Sequence, residues 1–283
     1  MPSTYAHYRF GLEVLYTLPE HLKKTIEPYQ ELFHIGLHGP DILFYYKPLS
    51  LNRVNQTGFG MHEEPAIRFF QNSGEVIVQQ KEPGPYLAYI YGFLCHFALD
   101  SECHGYIDEK IEESRISHTE IEVEFDRDLM CEDGFYPITH PLTDHILPKT
   151  EYADIIAPFF DGITRDQILK ALKSMKSYNK LLIAPHRMKR YFIYALLAVS
   201  GNYKEMHGLI VNYKPNPKCD DSTKKLKRLY GNAVFQANKL IQEYKECAFG
   251  GKCLDRRYRL TFGSREPAAS DIGDGAYSVE AIK

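Results

Sequence analysis

Tryptophan is missing altogether from the 283 residues, so the 13% aromatic content rests on 21 Tyr and 16 Phe. Long apolar runs are missing too. No stretch reaches the roughly 18 apolar residues that a spanning helix needs, so no transmembrane segment is expected. The start of the chain, MPSTYAHYRFGLEV, lacks the apolar core of a secretion signal and reads directly as a helix, which makes the cytoplasm the expected location. The six cysteines show no zinc-ribbon spacing. They are expected as free thiols, with Cys95 and Cys103 as small buried packing residues; Cys247 and Cys253 in CAFGGKC are the pair that could bridge if oxidised. There is no internal repeat.

What is present reads as helix after helix. Apolar spacing and end signals predict helices over 4–17, 19–33, 63–80, 85–104, 106–114, 117–129, 151–159, 164–178, 187–200 and 221–246. The expected fold class is therefore all-α, a single-domain bundle over 1–250, followed by a polar, mobile tail over 251–283. Residues 47–61, with Gly58 and Gly60, read as a loop, and the proline-punctuated 131–150 as either a lid or a connector. Ser117 and Glu120 have capping-box spacing, and Ile116 and Ile121 that of a hydrophobic staple, so a helix should start at His118.

Chemistry is concentrated in two of these helices. His96, Asp100 and His104 follow one another at four-residue steps in YGFLCHFALDSECHGY, so a helix sets them on one face. His118 and Glu122 repeat the step in the next helix. With 12 histidines and 37 acids such pairs arise by chance, and His104/Asp108 and His140/Asp144 share the spacing. The last lies in PITHPLTDH between prolines that argue against a helix, which makes it an internal control. His96 and Asp100 differ by sitting in the apolar run YLAYIYGFLCHFAL, where a carboxylate is costly unless its charge is compensated. A metal ion supplies that compensation, and imidazole with carboxylate suits zinc.

The order His-x3-Asp, His, then His-x3-Glu resembles the zinc-dependent phospholipase C family, whose fold is shared with single-strand-specific zinc nucleases. GLHGPDILFYY (residues 36–46), GMHEEP with His62, and TYAHYRFGLEVL with His7 resemble further pieces of that family, over residues 5 to about 125. The resemblance implies a two- or three-zinc cluster. Asp41, His62, His96 and Asp100 would hold one ion, His104, His118 and Glu122 a second, and Asp100 with His7 a third. Asp41 would also orient or deprotonate the attacking water. The family completes its third site with an N-terminal Trp, which this chain lacks; Pro2 could take its place once Met1 is removed, and with Met1 retained the third site would be weak or empty.

By resemblance the activity is phosphoester hydrolysis of the phospholipase C type, with peripheral membrane contact. The alternatives are a single-strand nuclease or nucleotide phosphodiesterase on the same cluster, and a non-catalytic helical protein with structural zinc. The net charge of −3 hides an acidic 112–133 and basic helices containing KALKSMKSYNK, HRMKRY and STKKLKRLYG. These patches suit an anionic partner, lipid or polynucleotide, without choosing between them. His34 and His38 stand beside Asp41 as candidates to support a ligand, and Tyr45 and Tyr46 either line the cleft or pack between helices.

Overall fold

A computed structural model describes residues 4–201, 203–250 and 254–263. The helices are α1 Thr4–Thr17, α2 Glu20–Ile26, α3 Gln30–Gly36, α4 Arg53–Glu63, α5 Ala66–Val78, α6 Gly84–Ser114, α7 His118–Glu132, α8 Thr150–Ile156, α9 Arg165–Leu182, α10 Arg187–Val199, α11 Tyr203–Met206 and α12 Asp220–Gly250, with short 3-10 turns between several of them. The protein is all-α: the only β pairing among the described residues is an isolated bridge between Pro65 and Thr261. No described helix is long and apolar enough to cross a membrane.

Helix α6 is the axis of the fold. Every residue from 87 to 101 is buried, as expected of a helix that is apolar all round and enclosed by others. Helices α3 and α12 make its most extensive contacts. The α3 crossing is backbone against backbone: a Cβ on Gly36 would lie 2.1 Å from the Tyr89 carbonyl oxygen, and one on Gly92 2.1 Å from that of Phe33. Only glycine permits this approach. A smaller cluster of Ala184, Ile193 and Ile210 lies apart from the main core, under α10.

Several boundaries differ from the sequence reading. Gly105 does not stop α6; the helix continues through buried Ile107 to Ser114 and ends at Arg115, which takes the left-handed conformation at φ 57°. The expected helix over 19–33 is interrupted at Pro28 by a 3-10 turn, Glu27–Tyr29, because proline supplies no N–H to the ladder. Residues 53–61, expected as loop, are helical. Asn52 caps α4 through bonds from the N–H groups of Val54 and Asn55, and Asn55 Oδ1 accepts the N–H of Asn52, a reciprocal box that outweighs the cost of Gly58 and Gly60. Segment 254–263 is also not a mobile tail. Tyr258 and Phe262 are 0% and 1% exposed, packed against Phe70 and Phe97, and only 264–283 of that expectation lies outside the described residues together with 251–253.

Candidate metal centre

Five elements bring the predicted residues to one place. Helix α6 supplies His96, Asp100 and His104, all buried, and α1 supplies His7, whose ring stacks on His96 with centroids 4.3 Å apart. The 3-10 turn Gly39–Tyr45 supplies Asp41, α4 supplies His62 from its last turn, and α7 supplies His118 and Glu122. The turn before Asp41 is shaped for this: Gly39 has φ +47°, and a Cβ there would run into the His96 ring at 2.2 Å. All eight candidates form one continuous cluster. His7 Nε2 is 3.2 Å from Asp100 Oδ1, His96 Nε2 is 3.1 Å from Asp100 Oδ2, and His62 Nε2 is 3.2 Å from Asp41 Oδ1. His104 Nε2 stands 3.7 Å from Asp100 and 3.5 Å from Glu122, whose other oxygen is 3.1 Å from His118 Nε2.

His96 Nε2, His118 Nε2 and Asp41 Oδ1 are buried and make no hydrogen bond among the described residues. The far side of the rings explains which lone pairs face inward. His62 Nδ1 donates to the Gly58 carbonyl at 2.9 Å, His96 Nδ1 to that of Leu37 at 3.3 Å, and His104 Nδ1 to that of Phe262 at 3.0 Å. A carbonyl can only accept, so Nδ1 carries a proton in each ring and Nε2 is the nitrogen left facing a carboxylate oxygen; burial holds the His96 ring neutral, so there Nε2 presents a lone pair. Between His96 and Asp100 two lone pairs thus face each other across a buried gap, an arrangement that a cation would turn from repulsive to attractive, and at His104 a cation would take the place of the second ring proton. The donors sort into His7/His96/Asp100, Asp41/His62/His96 and His104/His118/Glu122, each set within 4.8 Å. Nitrogen and carboxylate oxygen at these separations fit zinc.

Charge follows the same plan. Burial opposes ionisation of Asp100, but His104, His96 and His7 outweigh it and hold the carboxyl well below the usual range. Burial likewise acts against Glu122 and is outweighed by His118 and His104. Burial pushes His96 down, whereas for His104 the carboxylates of Asp100 and Glu122 overcome burial and push it up to about 9. The cluster is closed on the α6 side and open on the other, where the His62 and His118 side chains are 18% and 33% exposed.

Other sequence expectations sort themselves out against this geometry. His140 lies on no helix and stacks on Phe135, so the control pair stays outside the cluster. Ser117 caps α7 by accepting the Glu120 N–H, but the Glu120 carboxylate accepts from Asn216 Nδ2 instead of completing the box. Tyr45 is a packing residue, its hydroxyl accepting from Asn179 Nδ2. His38 is buried, and its Nε2 meets His145 Nε2 at 2.7 Å behind the cluster. Cys95, Cys103, Cys131 and Cys219 are free thiols; Cys253, the residue that could bridge to Cys247, lies outside the described residues with Met1 and Pro2.

Two supporting groups carried no sequence signal. Asp126 accepts the N–H groups of Tyr5 and Ala6 at 3.0 and 2.8 Å and so fixes the first turn of α1 beside His7; burial pushes its carboxyl up to about 7 against those bonds. In sequence it is one acid in an acidic run. The Phe262 carbonyl comes from 158 residues beyond His104, and no spacing rule reaches that far.

An all-helical protein with a largely buried cluster of five imidazoles and three carboxylates has the side chains of a helical metal-binding protein. The sequence profile of the family described as zinc dependent phospholipase C matches residues 6–178, well past the motif-bearing stretch, and the chain belongs to that family. No curated protein and no solved structure matches the chain significantly.

Proposed function

We propose that the protein is a zinc-dependent phosphodiester hydrolase of the phospholipase C type, holding two or three zinc ions. The observation that carries this reading is the set of imidazole Nε2 atoms fixed against buried carboxylates by carbonyl bonds on the far side of each ring. Asp41, His62, His96 and Asp100 would hold one ion, His104, His118 and Glu122 a second, and His7 with Asp100 would contribute to a third. Closely spaced zinc supplies Lewis-acid stabilisation of phosphoryl oxygens and water of lowered pKa.

The chain's own residues do the rest. Asp41, ionised and with an oxygen free of hydrogen bonds among the described residues, is placed to accept the proton of the attacking water. The carbonyls of Gly58, Leu37 and Phe262 fix ring orientation, so the lone pairs need not reorganise during reaction. The partly exposed rings of His62 and His118 favour catalysis over a structural role, because structural zinc sites are closed. Substrate screening tests the reading. A soluble phosphocholine diester should be hydrolysed, with loss on chelation and recovery with zinc. Preferential cleavage of single-stranded nucleic acid would move the substrate to the nuclease alternative, and inertness of the zinc-loaded protein toward every phosphodiester would end the hydrolase reading.

A further inference from the structure

Helix α10 exposes the residues a helix ordinarily hides. Met188, Tyr191, Phe192, Leu196 and Val199 are 80, 64, 65, 54 and 89% exposed, and their spacing draws one continuous stripe along the helix. The opposite face supplies Ile193 to the satellite cluster with Ala184 and Ile210, so the helix is seated and the stripe is its outward side. Arg190 secures that seat, donating to the carbonyls of Ala184 and Val211. The stripe lies in a strongly basic stretch: residues 167–204 contain eight Lys and Arg and no carboxylate. Lys173, Lys180 and Arg187 are exposed within it.

The position of this segment relative to the metal centre adds a second argument. It leaves α9 at Asn179, which bonds Tyr45 in the turn that carries Asp41. It returns through the 3-10 turn His207–Leu209, where Gly208 packs against Ser117, Thr119 and Glu120, the residues on either side of His118. Asn212 and Asn216 then bond Glu124 and Glu120 on α7. The segment is thus moored at two points beside the cluster, one of them next to the most exposed imidazole.

We propose that α10 is a membrane-docking helix that lays Met188, Tyr191, Phe192, Leu196 and Val199 into the surface of an anionic phospholipid bilayer. An apolar face led in by exposed Arg187 at the start of the helix and Lys180 in the last turn of α9 is the chemistry of a helix lying in the plane of an anionic interface. A second copy of the chain fits less well. The five side chains of the stripe expose several hundred Å² between them, on the order of one side of a stable dimer, so area does not choose between the occupants and charge does. The basic residues of this stretch would repel their own image across a two-fold contact. This surface deepens the phospholipase reading and rests on it for its biological sense, but its binding is measurable without catalysis.

Flotation of the full chain with vesicles of equal parts phosphatidylcholine and phosphatidylglycerol tests it, alongside hydrolysis of bis(p-nitrophenyl) phosphate in free solution. Wild type should float with these vesicles and less with phosphatidylcholine alone. The double variant Tyr191→Ser/Phe192→Ser should lose binding by about tenfold or more while hydrolysing the soluble ester unchanged. Lys180→Glu/Arg187→Glu should weaken binding by roughly fivefold or more, and only on anionic vesicles. The inference is overturned if wild type stays in solution, if the apolar double variant floats as well as wild type, or if wild type is a dimer by light scattering that the variant splits. Flotation without soluble-ester hydrolysis would support the docking surface and count against the hydrolase reading; hydrolysis without flotation would do the reverse.

Discussion

Helix α6 is enclosed on all sides by apolar neighbours and still places two imidazoles and a carboxylate in its interior, whereas α10 has an apolar face and turns it to solvent. Much of the molecule follows polarity, with Phe10, Phe70 and Tyr244 inside, and other buried charges are satisfied within the chain, as Lys110 is by Asp221. These two helices depart from it in opposite directions. Buried polar groups ask for something to compensate them, and exposed apolar groups ask for something to cover them. In α6 the compensation comes from the convergence of five elements on one point; in α10 nothing in the chain covers the stripe among the described residues.

The comparison can be broken most severely at Asp100, the carboxylate between His7, His96 and His104. Asp100→Asn should abolish hydrolysis, a loss beyond the about 10–100-fold expected from removing an outer partner of a ligand. Chelation of wild type should also lower the melting temperature by about 5 °C, the scale of a few kcal/mol of linked metal binding in a chain of this size, and the same treatment should hardly move the variant. Calorimetry with and without chelator checks this.

A chain ending at residue 253 removes Tyr258 and Phe262 from the core and the carbonyl that orients His104. The loss should be about 3–5 kcal/mol or more, read by denaturant unfolding. Gly92→Ala is milder. Its methyl would meet the Phe33 carbonyl, so α3 must shift from α6 at a cost of about 1–3 kcal/mol, and the Leu37 bond to His96 should loosen with it; denaturant unfolding and zinc titration read the two effects. Smallest of all is the effect on stability of Tyr191→Ser/Phe192→Ser. Both side chains are about two-thirds exposed, so the unfolding midpoint should stay within about 0.5 kcal/mol of wild type. A large destabilisation there would mean that the stripe is core, and the contrast between the helices would disappear.

What was legible in the sequence followed from local periodicity. His96, Asp100 and His104 at four-residue steps, and His118 with Glu122 behind a serine cap, could be read because a helix converts spacing into a shared face. His7, Asp41 and His62 were reached through resemblance, since nothing local ties α1 or a 3-10 turn to α6. Misreadings fell where local cues conflict: Gly58 and Gly60 suggested a loop, although Gly58 is small because Leu43 and Phe44 press against it. Gly105 suggested a stop in a helix that tertiary burial carries onward. The carbonyl of Phe262 and the carboxylate of Asp126 were invisible, because a backbone atom has no sequence identity and an acid in an acidic run has no distinguishing neighbour.

The central claim is that eight residues form one zinc cluster with Asp100 at its centre. Elemental mass spectrometry of protein purified without chelator or histidine tag, for wild type and Asp100→Asn side by side, tests it most directly. Two or three zinc ions per chain, falling in the variant, is the predicted result; substoichiometric metal that ignores the substitution would contradict it.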